Sequence, residues 1–257
     1  MKTRGEAAPL GAPCYGRFDV CAHFRLFSGR FLLLAPVLAL DAAMSIELDE
    51  ELRGLFNDVL QRSGPTALLL RHAERGPITD LANHHEVLLT DSGIAAATRS
   101  GAHLGQVTGA SPVVFVHSPV ERCAQTARAL CAGLNGAGGV GHVAGVIDAL
   151  GSSYLRDPAR VAEAYLAGGK SFIRMWFDGD IPAEVIAPCA DVAALQVRTL
   201  REAIEVHPIV VAVSHDWNIA SIREHHLGAR FEDVGWPQFL DGVVVNTEAV
   251  YCRRAPR

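Results

Sequence analysis

Three short apolar runs in this chain stop abruptly at polar and cationic side chains. Thr66-Ala67-Leu68-Leu69-Leu70 gives way to Arg71-His72-Ala73-Glu74-Arg75. Val113-Val114-Phe115-Val116 ends at His117-Ser118, with Arg122 just beyond, and Ile209-Val210-Val211-Ala212-Val213 ends at Ser214-His215-Asp216. Runs this short, with no polar alternation, predict strands buried on both faces of a parallel sheet. Between them the pattern changes to helical spacing. Leu52, Phe56, Val59 and Leu60 mark a helix over 49–61, stopped by Ser63-Gly64-Pro65. Ile94, Ala97, Gly101 and Leu104 share one face of a second helix, with Thr90 as its N-cap. A third opens at Ser118-Pro119, with proline in the first turn, and runs to about Leu134 before Asn135-Gly136. Residues 157–168 and 187–206 read as helices around a loop, 171–189, rich in Phe, Trp and Pro and a candidate lid. His142–Leu150 and Gly242–Val245 add strands, and a last helix follows Asn218. The alternation predicts an α/β fold, a three-layer α/β/α sandwich on a mostly parallel central sheet.

Composition narrows the picture. A chain of 257 residues that is 49% hydrophobic can bury one sizeable core. A net charge of −5 argues against a general nucleic-acid footprint, so any important positive charge is local. The six cysteines show neither Cys-x-x-Cys nor zinc spacing, which fits reduced thiols in a cytoplasmic protein. Cys123 and Cys131 are expected to pack. Residues 1–43 differ from the rest and are read as an N-terminal extension, with a catalytic unit over 44–257. The apolar run 31–40 is too short for a stable membrane span. It has the length of a signal-sequence core, in which case the protein would be exported. A translated stretch upstream of Met44 and an ordered extension are the other readings.

In sheets of this kind ligands bind in the crevice beyond the carboxyl ends of the strands. Arg71, His72, Arg122 and His215 would converge there, a set suited to a dianion such as phosphate. A neutral imidazole can attack phosphorus and split hydrolysis into two easier steps. Fixed guanidinium groups stabilise the transition state, and a carboxylic acid can protonate the leaving oxygen. This chemistry calls for no cofactor and no metal. The string Gly136 to Gly141 matches G-x-G-x-x-G, but a helix precedes it and a strand follows, the reverse of the dinucleotide motif. His84-His85 and His225-His226 read as solvated. Trp176, Phe177, Trp236 and Phe239 read as packing residues, with Trp217 placed at the site rim.

Four motifs in order resemble the histidine phosphatase superfamily, which is phosphoglycerate mutase-like in fold. They are Arg71-His72-Ala73-Glu74-Arg75-Gly76-Pro77, Leu89-Thr90-Asp91-Ser92-Gly93, Ser118-Pro119-Val120-Glu121-Arg122-Cys123-Ala124-Gln125-Thr126-Ala127 and Val213-Ser214-His215-Asp216. The resemblance implies that His72 is the phosphorylated nucleophile and that Arg71, Arg122 and His215 hold the phosphoryl group. Arg75 matches a further phosphate-binding arginine of the acid-phosphatase branch, whose proton donor corresponds to Asp216. The mutase branch uses a glutamate instead, for which Glu74, Glu121 and Asp148 are the alternatives. Ala73 replaces the usual glycine and is expected to narrow the site. A looser similarity, through Arg71-His72-Ala73-Glu74-Arg75 and Phe239-Leu240-Asp241-Gly242, is to the bacterial heptose phosphate phosphatases, which would make the substrate a phosphosugar. The expected function is metal-independent hydrolysis of a small phosphorylated metabolite through phosphohistidine on His72. A phosphomutase of the phosphoglycerate mutase type and a non-catalytic phosphate-binding module are the alternatives.

Overall fold

The computed structural model describes residues 50–61, 64–80 and 83–252. The expectations for residues 1–43 lie outside the described residues. The first helix, α1 (Glu50–Gln61), leads into β1 (Thr66–Arg71), and α2 (Asp91–Thr108) into β2 (Pro112–His117). Then come α3 (Glu121–Gly136), β3 (Val140–Val146), α4 (Pro158–Gly168), α5 (Lys170–Asp178) and α6 (Cys189–Val206). The chain returns through β4 (Ile209–Ser214), α7 (Asp216–Leu227), α8 (Phe231–Val234), β5 (Gly242–Asn246) and β6 (Val250–Tyr251).

The strands form one sheet in the order β3-β2-β4-β1-β5-β6. The β1–β4, β2–β4 and β2–β3 pairs are parallel, while β5 and β6 add an antiparallel edge. Successive side chains of a strand point to opposite faces, and the core divides accordingly. Leu68, Leu70, Phe115 and Val213 pack on one face with α1, α2 and α3. Ala67, Leu69, Val114 and Ala212 pack on the other with α6 and α7. The continuous apolar runs are therefore continuous because both faces of the sheet are covered. The expected three-layer sandwich is the one observed. Among the described residues no helix is long and apolar enough to cross a membrane.

Several local expectations change. Residues 170–178 are helical, not a loop. Phe172, Ile173, Trp176 and Phe177 recur at helical spacing and are buried with Val161 of α4 and Tyr154. This segment packs beneath the residues around it. The third helix begins at Glu121, because Val120 has extended backbone at the N-cap and its N–H donates to Ser118 Oγ at 3.3 Å. Pro119 lies in the turn before the helix. The helix expected after Asn218 already starts at Asp216, with His215 at its N-cap. β3 ends at Val146, and Asp148–Leu150 forms a single 3-10 turn.

α2 and α3 approach each other backbone to backbone. A Cβ on Gly101 would lie 1.9 Å from the Leu130 carbonyl oxygen, and one on Gly133 would lie 1.9 Å from that of Thr98. A glycine-to-alanine change in an exposed helix stabilises by about 1 kcal/mol. Here Gly133→Ala forces the helices apart, and overpacking of this kind costs about 1–3 kcal/mol. Urea unfolding of Gly133→Ala is expected to show that loss, and a neutral or stabilised variant would contradict the packing.

Candidate active site

β1, β2 and β4 are parallel neighbours, so their carboxyl ends lie at one edge of the sheet. The loops leaving them are tied together by backbone bonds. His72 N donates to Ser214 O at 2.9 Å, Ser118 N to Val213 O at 2.9 Å, and Arg71 N to Asp241 O at 2.8 Å. The Leu89–Gly93 motif clamps the loop that follows His72. Thr90 N donates to Glu74 O at 3.1 Å, and Thr90 Oγ1 caps α2 by accepting from Gly93 N at 3.0 Å. A Cβ on Gly93 would come within 2.1 Å of the Glu74 carbonyl oxygen, so only glycine allows this approach. From the other side Thr126 Oγ1 of α3 accepts from Ala73 N at 3.1 Å. Ala73 is fully buried among the core residues of the α1–α3 face. Its methyl group therefore does not narrow the site, contrary to expectation.

The side chains singled out in the sequence meet in one cleft of about 520 Å³, lined by Arg71, His72, Arg75, Arg122, His215 and Asp216 at one end. His72 Nδ1 lies 2.8 Å from Ala73 O, so Nδ1 carries the proton and Nε2 keeps its lone pair. Arg122 Nε donates to that Nε2 at 3.1 Å, and Arg122 Nη1 donates to His84 O at 2.8 Å. Arg122 Nη2 reaches His215 Nδ1 at 3.4 Å, while His215 Nε2 bonds Ser118 Oγ at 2.9 Å. The two imidazole rings are edge to face, 5.6 Å between centroids. Arg71 donates to Pro237 O at 2.7 Å, pairs with Asp216 Oδ2 at 3.1 Å and lies over the Phe239 ring at 4.2 Å. Asp216 Oδ2 also accepts from Trp236 Nε1 at 3.1 Å. Arg75 bonds Gly76 O at 2.8 Å and lines the same cleft.

The other carboxyl candidates are occupied elsewhere. Glu74 accepts from Thr90 and Ser92 at the start of α2, and Glu121 pairs with Arg128 on α3. Asp148 is exposed in its 3-10 turn. Trp217 lines the cleft as expected, and Trp176 and Phe177 are buried packing residues. Trp236 and Phe239 touch Asp216 and Arg71, so they do more than pack. His84, expected to be solvated, lines the cleft. Among the described residues no group of three or more His, Cys, Asp or Glu comes together to hold a metal ion.

A family model, the histidine phosphatase superfamily (branch 1), matches residues 67–247. The chain belongs to the histidine phosphatase superfamily. Its activity is that of a phosphoric monoester hydrolase. No match was found among proteins of curated function. Among solved structures, the chain is similar to an open reading frame product of Mycobacterium tuberculosis at 22% identity and TM-score 0.43, covering 74% of this chain and 95% of that one. A mycobacterial glucosyl-3-phosphoglycerate phosphatase complexed with VO3 shares 18% identity at TM-score 0.49, covering 70% of this chain and 90% of that one. A phosphoglycerate mutase from Bacillus anthracis str. Sterne shares 12% identity at TM-score 0.47, covering 76% and 94%.

The electrostatics of this histidine phosphatase are dominated by burial among positive groups. Burial pushes His72 down to about 3, aided by Arg122, Arg71 and Arg75, with the bond to Ala73 O working the other way. Burial and the Arg122 guanidinium hold His215 well below the usual histidine range. Both imidazoles are therefore neutral in the free enzyme at neutral pH. Burial also pushes the Cys123 thiol up to about 12, so this neighbour of His215 stays protonated. Two contacts escaped the sequence reading. Thr126 sits one turn after Arg122 in the same motif. The turn 236–241 carries its signal in the Phe239–Gly242 string.

Neutral buried histidines make stability depend on pH. The unfolded chain binds protons near pH 6.5 while folded His72 does not until about pH 3. Its contribution is therefore full above pH 6.5 and is lost as pH falls toward 3. Between pH 7 and 5 the wild type is expected to lose about 2 kcal/mol through His72. His72→Gln, which cannot take up the proton, should lack that part of the slope. Urea unfolding at the two pH values in phosphate-free buffer checks it, and equal slopes would refute it.

Proposed function

We propose that this enzyme hydrolyses a small phosphorylated metabolite through a phosphohistidine on Nε2 of His72. The observation that carries the proposal is the tautomer lock: Ala73 O holds the Nδ1 proton and leaves the Nε2 lone pair facing the arginines. In the first step that lone pair attacks phosphorus and the bond to the leaving oxygen breaks. Arg71, Arg75, Arg122 and His215 hold the phosphoryl oxygens, where charge is greatest in the transition state. Asp216, a carboxylate while paired with Arg71, takes up a proton from solvent once that pair opens and gives it to the leaving oxygen. The incoming phosphate dianion competes for Arg71, which frees Asp216 Oδ2 from its ion pair. In the second step water attacks phosphorus, Asp216 takes its proton, and the P–N bond breaks to return neutral His72. The looser resemblance to heptose phosphate phosphatases raises a phosphosugar as a candidate, which the rest of the cleft lining must be able to receive.

His72→Ala is expected to abolish turnover of p-nitrophenyl phosphate, and wild-type activity is expected to survive EDTA. Trapping of label on the protein at pH 5 follows from the lowered His72, about 99% neutral there against about 3% for an ordinary histidine. Asp216→Asn should lower kcat/KM, which reports the first step alone, about 10²–10⁴-fold for an alkyl phosphate. It should act much less on p-nitrophenyl phosphate, whose leaving group needs no proton. Full activity of His72→Ala, or an equal effect of Asp216→Asn on both esters, would refute these roles.

A further inference from the structure

The lining of the cleft falls into two chemistries. One part is the arginines and histidines. The other is a wall built from Tyr154, Leu155, Pro158, Ala162, Tyr165 and Trp217, with Ile78. The lining residues between Ser152 and Tyr165 include no charged side chain. α4 carries Arg160 and Glu163, but the face it turns to the cleft is Pro158, Ala159, Val161, Ala162 and Tyr165. Ser152 is the one hydroxyl of that stretch apart from the phenols, and it is engaged by Tyr154. Burial pushes the Tyr154 phenol far up, so it stays neutral.

The aromatic residues of this lining pack on one another. Tyr165 packs on Trp217 at 5.4 Å, Trp217 on Trp176 at 5.6 Å, and Trp176 stacks on Tyr154 at 5.3 Å. Trp176 is anchored by its indole N–H to Ala187 O at 2.8 Å. Ala159 and Ala162, three residues apart on one helical face, give this part of the lining small apolar side chains.

Resting on the phosphatase reading above, we infer that the ester's alcohol part is hydrocarbon-rich, aromatic or branched aliphatic, and lies against α4. A sugar or sugar acid would bring hydroxyls and a carboxylate to a surface with few partners for them, and unpaired buried polar groups are costly. An apolar group gains by burial against the same surface. The phosphosugar option is thus disfavoured by this chain's own wall.

The test separates binding from chemistry. Affinities of methyl-, butyl- and hexylphosphonate, which cannot be hydrolysed, are measured by calorimetry on the full chain. Affinity is expected to rise about fourfold per added methylene until the wall is covered. In Ala162→Gln, which places a polar group on the wall, the rise should flatten while methylphosphonate binding is kept. A flat wild-type series would overturn the inference, as would a slope unchanged in both Ala162→Gln and Tyr165→Ser. Hydrolysis of hexyl phosphate and glucose 6-phosphate, whose leaving alcohols are of similar acidity, is compared in parallel. Higher kcat/KM for the sugar ester would also overturn it. If neither ester turns over while the phosphonate slope is present, the catalytic reading fails and the apolar wall stands.

Discussion

The structure depends on keeping guanidinium groups desolvated around an uncharged imidazole. Arg71, His72, Arg122 and His215 are all buried, and their closest carboxylates are few. Burying charge without a partner is strongly unfavourable. The molecule meets that cost with backbone carbonyls and ring faces: Pro237 O and the Phe239 ring for Arg71, His84 O and the His72 ring nitrogen for Arg122. Apart from Asp216, which pairs with Arg71, these partners are neutral, so much of the positive potential remains available to an incoming dianion. Because the imidazoles are pushed toward their neutral forms by burial and the same field, one arrangement both favours an anion and leaves the Nε2 lone pair of His72 unprotonated.

Much of the surrounding architecture holds that arrangement in place. The turn after Trp236 presents Pro237 O and Phe239 to Arg71, and it is fixed from below by the buried Arg223–Asp241 ion pair. Asp241 Oδ1 also accepts from Gly242 N at 2.7 Å, and Leu240 N donates to Arg71 O at 3.2 Å. Leu240 is held at a φ of 61°, a left-handed conformation costly for a residue with a side chain. On the other flank, Gly101 and Gly133 let α2 and α3 close to backbone contact. That contact seats Thr126 against Ala73 and Thr90 against Glu74. Both helices thus grip the loop that carries His72.

The sheet and the gathering of Arg71, His72, Arg122 and His215 at its edge were legible in the sequence because they are made of local signals. Leu68-Leu69-Leu70 and Val210-Val211-Ala212 alternate between two covered faces, so no polar residue interrupts them, and each run ends where its chemistry begins. Thr90 announced its cap three residues before the glycine that it serves. Other features depend on distant contacts. The sequence near Phe172 and Trp176 reads equally as a loop or a helix, and only packing against Tyr154, Trp217 and Phe231 decides it. Asp216 could be read beside His215, but its partners Arg71 and Trp236 come from opposite ends of the chain. Ala73 was read as an intrusion because its neighbours in sequence line the site. Its own methyl group points the other way, into the core.

The phosphate end and the α4 wall obey different constraints, and this bears on how such an enzyme acquires its substrate. The phosphate end is assembled from the ends of three strands locked by backbone bonds, and moving any one of them disturbs the sheet. The wall comes from one helix and the turn before it, resting on an aromatic cluster outside the two sheet-covering cores. Substitutions at Ala159, Ala162 or Tyr165 change what the leaving group meets without touching Arg122 or His72. The chemistry of phosphoryl transfer is therefore built into the sheet, while selectivity rests on a face of α4 that can vary independently.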